Sequence, residues 1–331
     1  MKKKIALMLT GVLAMSMIFT GCGKKDSGSG DGTFVPKDTV NWTVTSSPGG
    51  GSDIYTRMIS DIMTKEDLVN GQTIVVTNKT DGSGEIGRNE VAMTKGNKAD
   101  CTLLTFNSGD LMPMVKNTKN RSSNFKIIAV MAVDKQLIFK SKDTSYADFA
   151  AAIKAAEGGK KVVIGGSKGD DIATYEAMIE EIGVSKDNMA YITYDSTGDA
   201  ITAGLGGHVD FVISKPAAAT EYVEAGSLIP VLALSTERYT GNLADAPKLS
   251  EIGDYEDVEV PIWRGVAAPA EMSDEAVAFW SEVLGKVSET DMWKNDYLEK
   301  NKLISNYMDY KTATEYVTQY EKEYMEANGI K

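Results

Sequence analysis

The stretch that decides the fold reads Pro48-Gly49-Gly50-Gly51-Ser52-Asp53-Ile54-Tyr55-Thr56-Arg57. Residues 40–45 before it alternate apolar and polar side chains and are rich in β-formers, which predicts a strand. Residues 54–62 repeat apolar side chains every four positions, which predicts a helix with Ser52 as its N-cap. A strand, a glycine turn and a helix N-terminus present backbone N–H groups that suit a carboxylate or a phosphate. A purely structural turn is the alternative interpretation of this motif.

Length and charge limit the class of protein. The chain has 331 residues, of which 42% are hydrophobic, and this is enough for two lobes or domains with packed cores. The formal net charge of −12 argues against a nucleic-acid partner and gives no general attraction to anions. Any anion site must therefore be built locally from backbone amides and a few side chains.

Residues 1–21 have the features of a signal peptide. Lys2-Lys3-Lys4 is a basic start, and the apolar run from Ile5 to Phe19 is too short for a comfortable membrane span. Phe19-Thr20-Gly21-Cys22 resembles the lipobox of bacterial lipoproteins, which implies that the mature chain starts at a lipidated Cys22. We therefore expect an extracytoplasmic protein anchored by lipid to the membrane surface, either on the outer face of the cell membrane or in the periplasm. An ordinary signal peptide with an incidental cysteine is the alternative.

The residues after Cys22 predict a tether and an unpaired thiol. Residues 22–38 are rich in Gly, Ser and Lys, have little to bury and are expected to form a flexible tether. With Cys22 lipidated, Cys101 has no partner for an intrachain disulfide, so we expect it to be a small buried residue.

From residue 40 onward, short β-rich runs alternate with helical patterns. The predicted strands are 40–46, 72–77, 101–106, 126–133, 136–140, 161–165, 190–194, 209–213, 229–234 and 263–268. The predicted helices are 52–64, 86–95, 145–156, 170–182, 197–205 and 216–225, with further helix towards the C-terminus. This α/β alternation is typical of parallel sheets covered by helices, in which ligands bind at the carboxyl ends of strands.

Two further glycine loops imitate enzyme signatures. Residues 82–87 fit G-x-G-x-x-G, but the motif follows the second strand and lacks the expected acidic partner, which disfavours a nucleotide site. Residues 165–169 fit G-x-S-x-G with Ser167 as a potential nucleophile. The chain's single histidine, His208, lies in a turn without a clearly paired acid, so a hydrolase using Ser167 is an unlikely alternative. The sequence offers no metal-ligand motif and no cofactor is expected.

Five sequence blocks, in order over about residues 40 to 285, resemble the receptors of tripartite tricarboxylate transporters, also called Bug receptors. They are Pro48 to Asp53, the loop from Asn78 to Gly87, Gly204 to Asp210, Glu237 to Gly253, and Trp263-Arg264-Gly265-Val266-Ala267-Ala268-Pro269. The resemblance implies a two-lobed, periplasmic-binding-protein-like (Venus flytrap) fold with a ligand cleft between the lobes. Lobe 1 would comprise residues 39–138 plus 262–331, and lobe 2 residues 139–261.

The resemblance also implies a function without catalysis. The protein would capture a small organic carboxylate and deliver it to the large and small membrane subunits of a secondary transporter that has no ATPase, acting as a monomer. A solute sensor for a membrane kinase is the alternative.

Residues matching the family's motifs are expected to contact the ligand. Those on lobe 1 are Gly50, Gly51, Ser52, Asp53, Ser83, Gly84, Thr105 and Asn107. Those on lobe 2 are Gly166, Ser167, Thr197 and Gly198.

The second lobe departs from the family pattern. Family members commonly carry a Ser-x-x-His motif where this chain reads Ser167-Lys168-Gly169-Asp170-Asp171. The two aspartates either cap the following helix or face the cleft, where they would repel a second ligand carboxylate. A monocarboxylate, a C4-dicarboxylate, a tricarboxylate, an amino acid and an aromatic acid are all possible ligands.

Overall fold

The structure is a computed structural model that describes residues 34–301 and 303–331. The predicted signal peptide 1–21, the lipidation site Cys22 and residues 23–33 of the predicted tether lie outside the described residues. Phe34, near the end of that tether, packs edge-on against Phe279 with ring centroids 5.4 Å apart. Within the two described ranges, no helix combines the length and the apolar character that crossing a membrane requires.

Strands and helices alternate along the chain as the sequence predicts. The strands are β1 (Val40–Val44), β2 (Ile74–Asn78), β3 (Thr102–Asn107), β4 (Phe125–Asp134), β5 (Gln136–Ser141), β6 (Val162–Ser167), β7 (Met189–Tyr194), β8 (Phe211–Ser214), β9 (Leu228–Leu234), β10 (Ile262–Pro269) and β11 (Ile304–Met308). The helices are α1 (Gly51–Lys65), α2 (Glu85–Ala92), α3 (Ser108–Asn117), α4 (Phe149–Glu157), α5 (Asp170–Ile182), α6 (Thr197–Leu205), α7 (Pro216–Glu224), α8 (Asp274–Glu289) and α9 (Tyr310–Ala327). Every strand and helix given bounds above overlaps an observed element, whereas α3 and β11 were not predicted.

The strands form two sheets, one in each lobe. The first sheet has the order β11-β4-β10-β3-β1-β2, with β1 parallel to β2 and β3, and β10 antiparallel to β3 and β4. The second has the order β7-β6-β8-β5-β9, with β6 parallel to β7 and β8, and β5 antiparallel to β8 and β9. The predicted α/β, two-lobed fold is confirmed.

The chain crosses between the sheets at two adjacent places. Only Lys135 separates β4 in the first sheet from β5 in the second. The chain returns through residues 235–261 to β10, whose first residue, Ile262, lies opposite Asp134 in the antiparallel register. The two crossing points are therefore neighbours.

Each sheet is covered by helices that bury an apolar core. Lobe 1 packs three fully buried tryptophans, Trp42, Trp280 and Trp293, between its sheet and helices α1 and α8. Lobe 2 packs Phe149 and Phe211 edge to face, with ring centroids 5.2 Å apart. Cys101 is buried and free, as expected for a small core residue. The carboxyl ends of β3, β6, β7 and β8 lead almost directly into helices α3, α5, α6 and α7.

Candidate functional site

A cavity lies between the two lobes, at the carboxyl ends of the parallel strands. Its volume is about 530 Å³, a value that includes the solvent-filled opening of the cavity. Lobe 1 lines it with Thr45, Ser46, Gly50, Gly51, Ser52, Asn107, Gly109, Asp110, Ile262 and Arg264. Lobe 2 lines it with Ser167, Lys168, Asp170, Asp195, Ser196, Thr197 and Lys215. Helices α1, α3, α5 and α6 all start at this lining, so the positive ends of four helix dipoles converge on it.

The first turn of α1 supplies backbone donors. The helix begins at Gly51 with Gly50 as its N-cap, so the prediction that Ser52 is the N-cap is wrong by two positions. The first amide that bonds within the helix is that of Ile54, which donates to the Gly50 carbonyl at 3.0 Å. The amides of Gly51, Ser52 and Asp53 belong to the group that a helix leaves without intrahelical partners. They suit an anion at the cavity wall.

The carboxylate of Asp53 holds this glycine turn in shape. It accepts hydrogen bonds from the Gly49 amide at 3.0 Å, from Arg57 Nε at 3.0 Å and from Asn78 Nδ2 at 2.9 Å. Burial alone would raise the pKa of Asp53, but these donors lower it below its usual range. Asp53 is thus a structural anion of the loop, and its side chain is committed to protein donors.

Arg264 lines the cavity and is held in place by the buried carboxylate of Asp134 behind it. The Arg264 guanidinium pairs with Asp134, with Nε at 3.1 Å from the carboxylate, and its Nη1 donates to the Gly51 carbonyl at 2.9 Å. Both side chains are almost completely buried. Burial raises the pKa of Asp134 although Arg264 opposes that shift. The pair connects the two crossing strands to the start of α1.

Asn107 adds a second polar connection on lobe 1. Its Nδ2 donates to the Ser52 hydroxyl at 2.9 Å, and its Oδ1 accepts from the Gly265 amide at 3.2 Å. Asn107 is also the N-cap of α3, in a capping box with Asp110. It therefore fixes the starts of α1 and α3 relative to β10.

One lysine of lobe 2 pairs with both of its neighbouring aspartates. Lys215 Nζ contacts both Asp170 and Asp171. Asp171 also accepts from the Ser167 amide and the Ser167 hydroxyl, each at 2.7 Å, and from Gln136. Burial and the neighbouring Asp171 raise the pKa of Asp170 to about 6, against the opposing effect of Lys215. Asp171 is therefore an interior anchor of the glycine loop, whereas Asp170 lies at the cavity wall as half of a charge pair.

The lobes touch through two glycines. A Cβ on Gly109, in the first turn of α3, would overlap Asp170 Oδ1, and one on Gly169 would overlap the Gly109 carbonyl oxygen. Gly169 also has a φ of +72°, a conformation that side-chain-bearing residues rarely adopt. Backbone meets backbone here because neither residue carries a side chain.

The structure brings half of the predicted ligand residues to the cavity. Gly50, Gly51, Ser52, Asn107, Ser167 and Thr197 line it. The others are set back: Asp53 in its loop network, Ser83 and Gly84 at the start of α2, Thr105 hydrogen-bonded to Thr56, Gly166 against Tyr191, and Gly198 beside the Gly49 carbonyl. Whether each contacts a ligand stays a prediction.

Sequence reasoning missed several charged residues of the lining, namely Asp110, Lys168, Asp195, Lys215 and Arg264. Lys168 and Arg264 belong to motifs quoted above, and Lys215 directly follows β8. A signal was therefore available, because each lies at or near a strand end, where α/β proteins bind ligands.

The geometry does not assemble a serine hydrolase site. The Ser167 hydroxyl, at the carboxyl end of β6, donates to Asp171. His208 precedes β8, which runs parallel to β6. The histidine therefore lies at the amino ends of these strands, whereas Ser167 lies at the carboxyl end of β6. A base cannot act on a nucleophile across the length of a sheet.

Comparison with known proteins gives one family. The family described as "Tripartite tricarboxylate transporter family receptor" matches residues 56–324. A curated relative, the UPF0065 protein in the tcbD-tcbE intergenic region of Pseudomonas sp. (strain P51), is 24% identical over 271 residues, which cover 79% of this chain and 75% of the relative.

Solved structures share the fold. The periplasmic binding protein BugD is 20% identical, with a TM-score of 0.77 over 89% of this chain and 99% of BugD. MatC (Rpa3494) from Rhodopseudomonas palustris, solved with bound malate, is 18% identical, with a TM-score of 0.73 over 87% of this chain and 99% of MatC.

The contact between Gly109 and Asp170 gives a first test. We expect the lobes of the free protein to separate at this contact, where Gly109→Ala meets no overlap and favours helix α3 by about 0.5–1 kcal/mol, so the free variant should be at least as stable as the parent. The added methyl would overlap Asp170 in the closed cleft, so ligand affinity should fall about tenfold. Calorimetry and thermal unfolding measure the two effects. Gly158→Ala at the exposed end of α4 is the control, and parental affinity in the Gly109 variant would contradict the closed contact.

The charge cluster on lobe 2 gives a second test. A carboxyl whose pKa rises on folding stabilises the folded state at low pH, and this contribution is lost as pH rises from about 4 through about 6. Between pH 4 and pH 7, Asp170→Asn should therefore gain on the order of 2 kcal/mol of unfolding free energy relative to the parent. Urea unfolding of the ligand-free proteins measures this difference. Asp171→Asn, the control, should be less stable than the parent at both pH values. If the difference in unfolding free energy between Asp170→Asn and the parent were the same at pH 4 and pH 7, the prediction would be wrong.

Proposed function

The chain belongs to the tripartite tricarboxylate transporter receptor family, and on that basis we propose that it captures a small organic carboxylate outside the cytoplasm and delivers it to the membrane subunits of a secondary transporter. The receptors of this family bind solutes and do not transform them. The proposal includes a lipid anchor at Cys22, which keeps the folded body at the membrane surface, and a monomeric receptor.

The observation that carries the proposal is the convergence of helix N-termini on one cavity between the lobes. The first turn of α1 presents amides without intrahelical partners, and Gly50 and Gly51 allow close approach to them. With a formal net charge of −12, the protein gives no general attraction to anions, so an anion site must be built locally from donors of this kind and a few side chains. A carboxylate needs two or three such donors and no metal ion.

The first ligands to examine are short dicarboxylates. MatC, which shares the fold, was solved with bound malate, a four-carbon dicarboxylate. None of the described residues that line the cavity is aromatic, and Ile262 is the one large hydrocarbon side chain among them, so a large aromatic acid would find few side chains to pack against. A compact acid with two polar ends therefore suits the cavity better.

The test is a thermal-shift and calorimetric screen of the mature protein. The panel contains malate, succinate, adipate, citrate, aspartate, butyrate and benzoate, with glucose and putrescine as uncharged and cationic controls. At about 100 times its dissociation constant, a ligand that binds only the folded form adds about 2.7 kcal/mol of stability, or roughly 3–6 °C.

We expect at least one carboxylate and neither control to raise the melting temperature. Cellular uptake of that carboxylate should then require both the receptor and its membrane subunits. A shift with glucose or putrescine and with no carboxylate would overturn the proposal.

A further inference from the structure

One cation in the cavity, Lys168, forms no ion pair with any residue that the structure describes. The Nζ atom of Lys168 is shielded from solvent and has no hydrogen-bond partner among residues 34–301 and 303–331. Lys168 lines the cavity from lobe 2, in the loop between β6 and α5. Burying an ammonium group without a partner is costly, and proteins normally avoid it.

The other basic side chains around the cavity are already committed. Arg264 pairs with Asp134, Lys215 pairs with Asp170 and Asp171, and Arg88 pairs with Glu85 and Asp110. Each of these cations therefore meets at least one carboxylate of the protein. Lys168 differs from them in this respect.

The two nearest acids are not placed to neutralise Lys168. Asp110 accepts hydrogen bonds from Thr45, from Arg88 Nη1 at 3.2 Å and from the Asn107 amide at 3.1 Å. Asp195 is exposed, and no ion pair joins either acid to Lys168 among the described residues. Burial accordingly lowers the pKa of Lys168, although Asp110 opposes the shift. An anion from outside the protein would relieve this cost.

We propose that Lys168 determines ligand charge by binding a second anionic group of the carboxylate that the first turn of α1 holds. This inference rests on the proposed function and deepens it by naming the side chain that selects for a second anionic group. The two contacts lie on different lobes, α1 on lobe 1 and Lys168 on lobe 2, so one ligand would bridge the cleft. The sequence left two alternatives for Asp170 and Asp171, capping of the helix or repulsion of a second carboxylate, and Lys215, which pairs with both, weakens that repulsion.

The test uses pairs of ligands that differ only in the second charge. Succinate and succinamate, glutarate and glutaramate, and adipate and adipamate are each compared by calorimetry at one pH. We expect the parent protein to bind at least one diacid about tenfold or more tightly than its monoamide, the contribution of a hydrogen bond to a charged group.

Two variants assign that preference to Lys168. Lys168→Met keeps the length of the side chain and should weaken diacid binding about tenfold or more while changing monoamide binding less than about threefold. Lys168→Arg should keep part of the preference. Lys160→Met, an exposed lysine on the same lobe, makes the same change in net charge and should behave as the parent.

A third measurement excludes a merely structural role. Because Lys168 has no partner in the free protein, Lys168→Met should melt at the parental temperature or above it. A lower melting temperature with equal losses for diacid and monoamide would overturn the assignment. So would equal affinity of the parent for both members of every pair, which leaves the proposed function intact. Failure of the folded parent to bind any probe or any carboxylate in the screen would overturn both.

Discussion

The ion pair between Arg264 and Asp134 is the interaction on which the cleft depends. Asp134 ends β4, just before the chain crosses to lobe 2, and Arg264 lies on β10, just after it returns. The same guanidinium donates to the Gly51 carbonyl in the first turn of α1. Because both charges are buried, removing either one would leave the other uncompensated, at a cost of about 3–5 kcal/mol. The pair thus couples the crossing strands to the backbone donors of lobe 1.

The two lobes treat charge differently. On lobe 1, the first turn of α1 has backbone amides without intrahelical partners, and the acids Asp53 and Asp110 accept hydrogen bonds from protein donors. Lobe 2 places two carboxylates against one lysine and leaves Lys168 without a partner. The close approach of the lobes at Gly109 and Gly169 brings these surfaces together. The cavity therefore places backbone donors of lobe 1 opposite a lysine of lobe 2 that has no hydrogen-bond partner among the described residues.

Local sequence patterns predicted most strands and helices, because the apolar periodicity and the turn residues that mark them lie close together along the chain. Apolar alternation located the strands, and helical periodicity or composition located the starts of α5 and α6 to the residue. Helix α3 was missed because Pro113 lies inside it, and proline normally argues against a helix interior. The N-cap of α1 was misplaced because serine is a favoured cap, whereas Gly50 takes that position here. The charge network could not be predicted, since Lys215 is 44 residues from Asp171 along the chain. A local pattern carries no information about such partners.

We expect a carboxylate to be enclosed between two lobes that close about the junction that Arg264 and Asp134 hold together. Two lobes joined by adjacent crossing strands can rotate about that junction, as hinge-closing receptors do. Small-angle X-ray scattering of the mature protein, with and without a saturating carboxylate from the screen, tests this most directly. We expect a smaller radius of gyration in the bound state. An unchanged radius at a ligand concentration that calorimetry shows to be saturating would contradict closure and leave a rigid pocket.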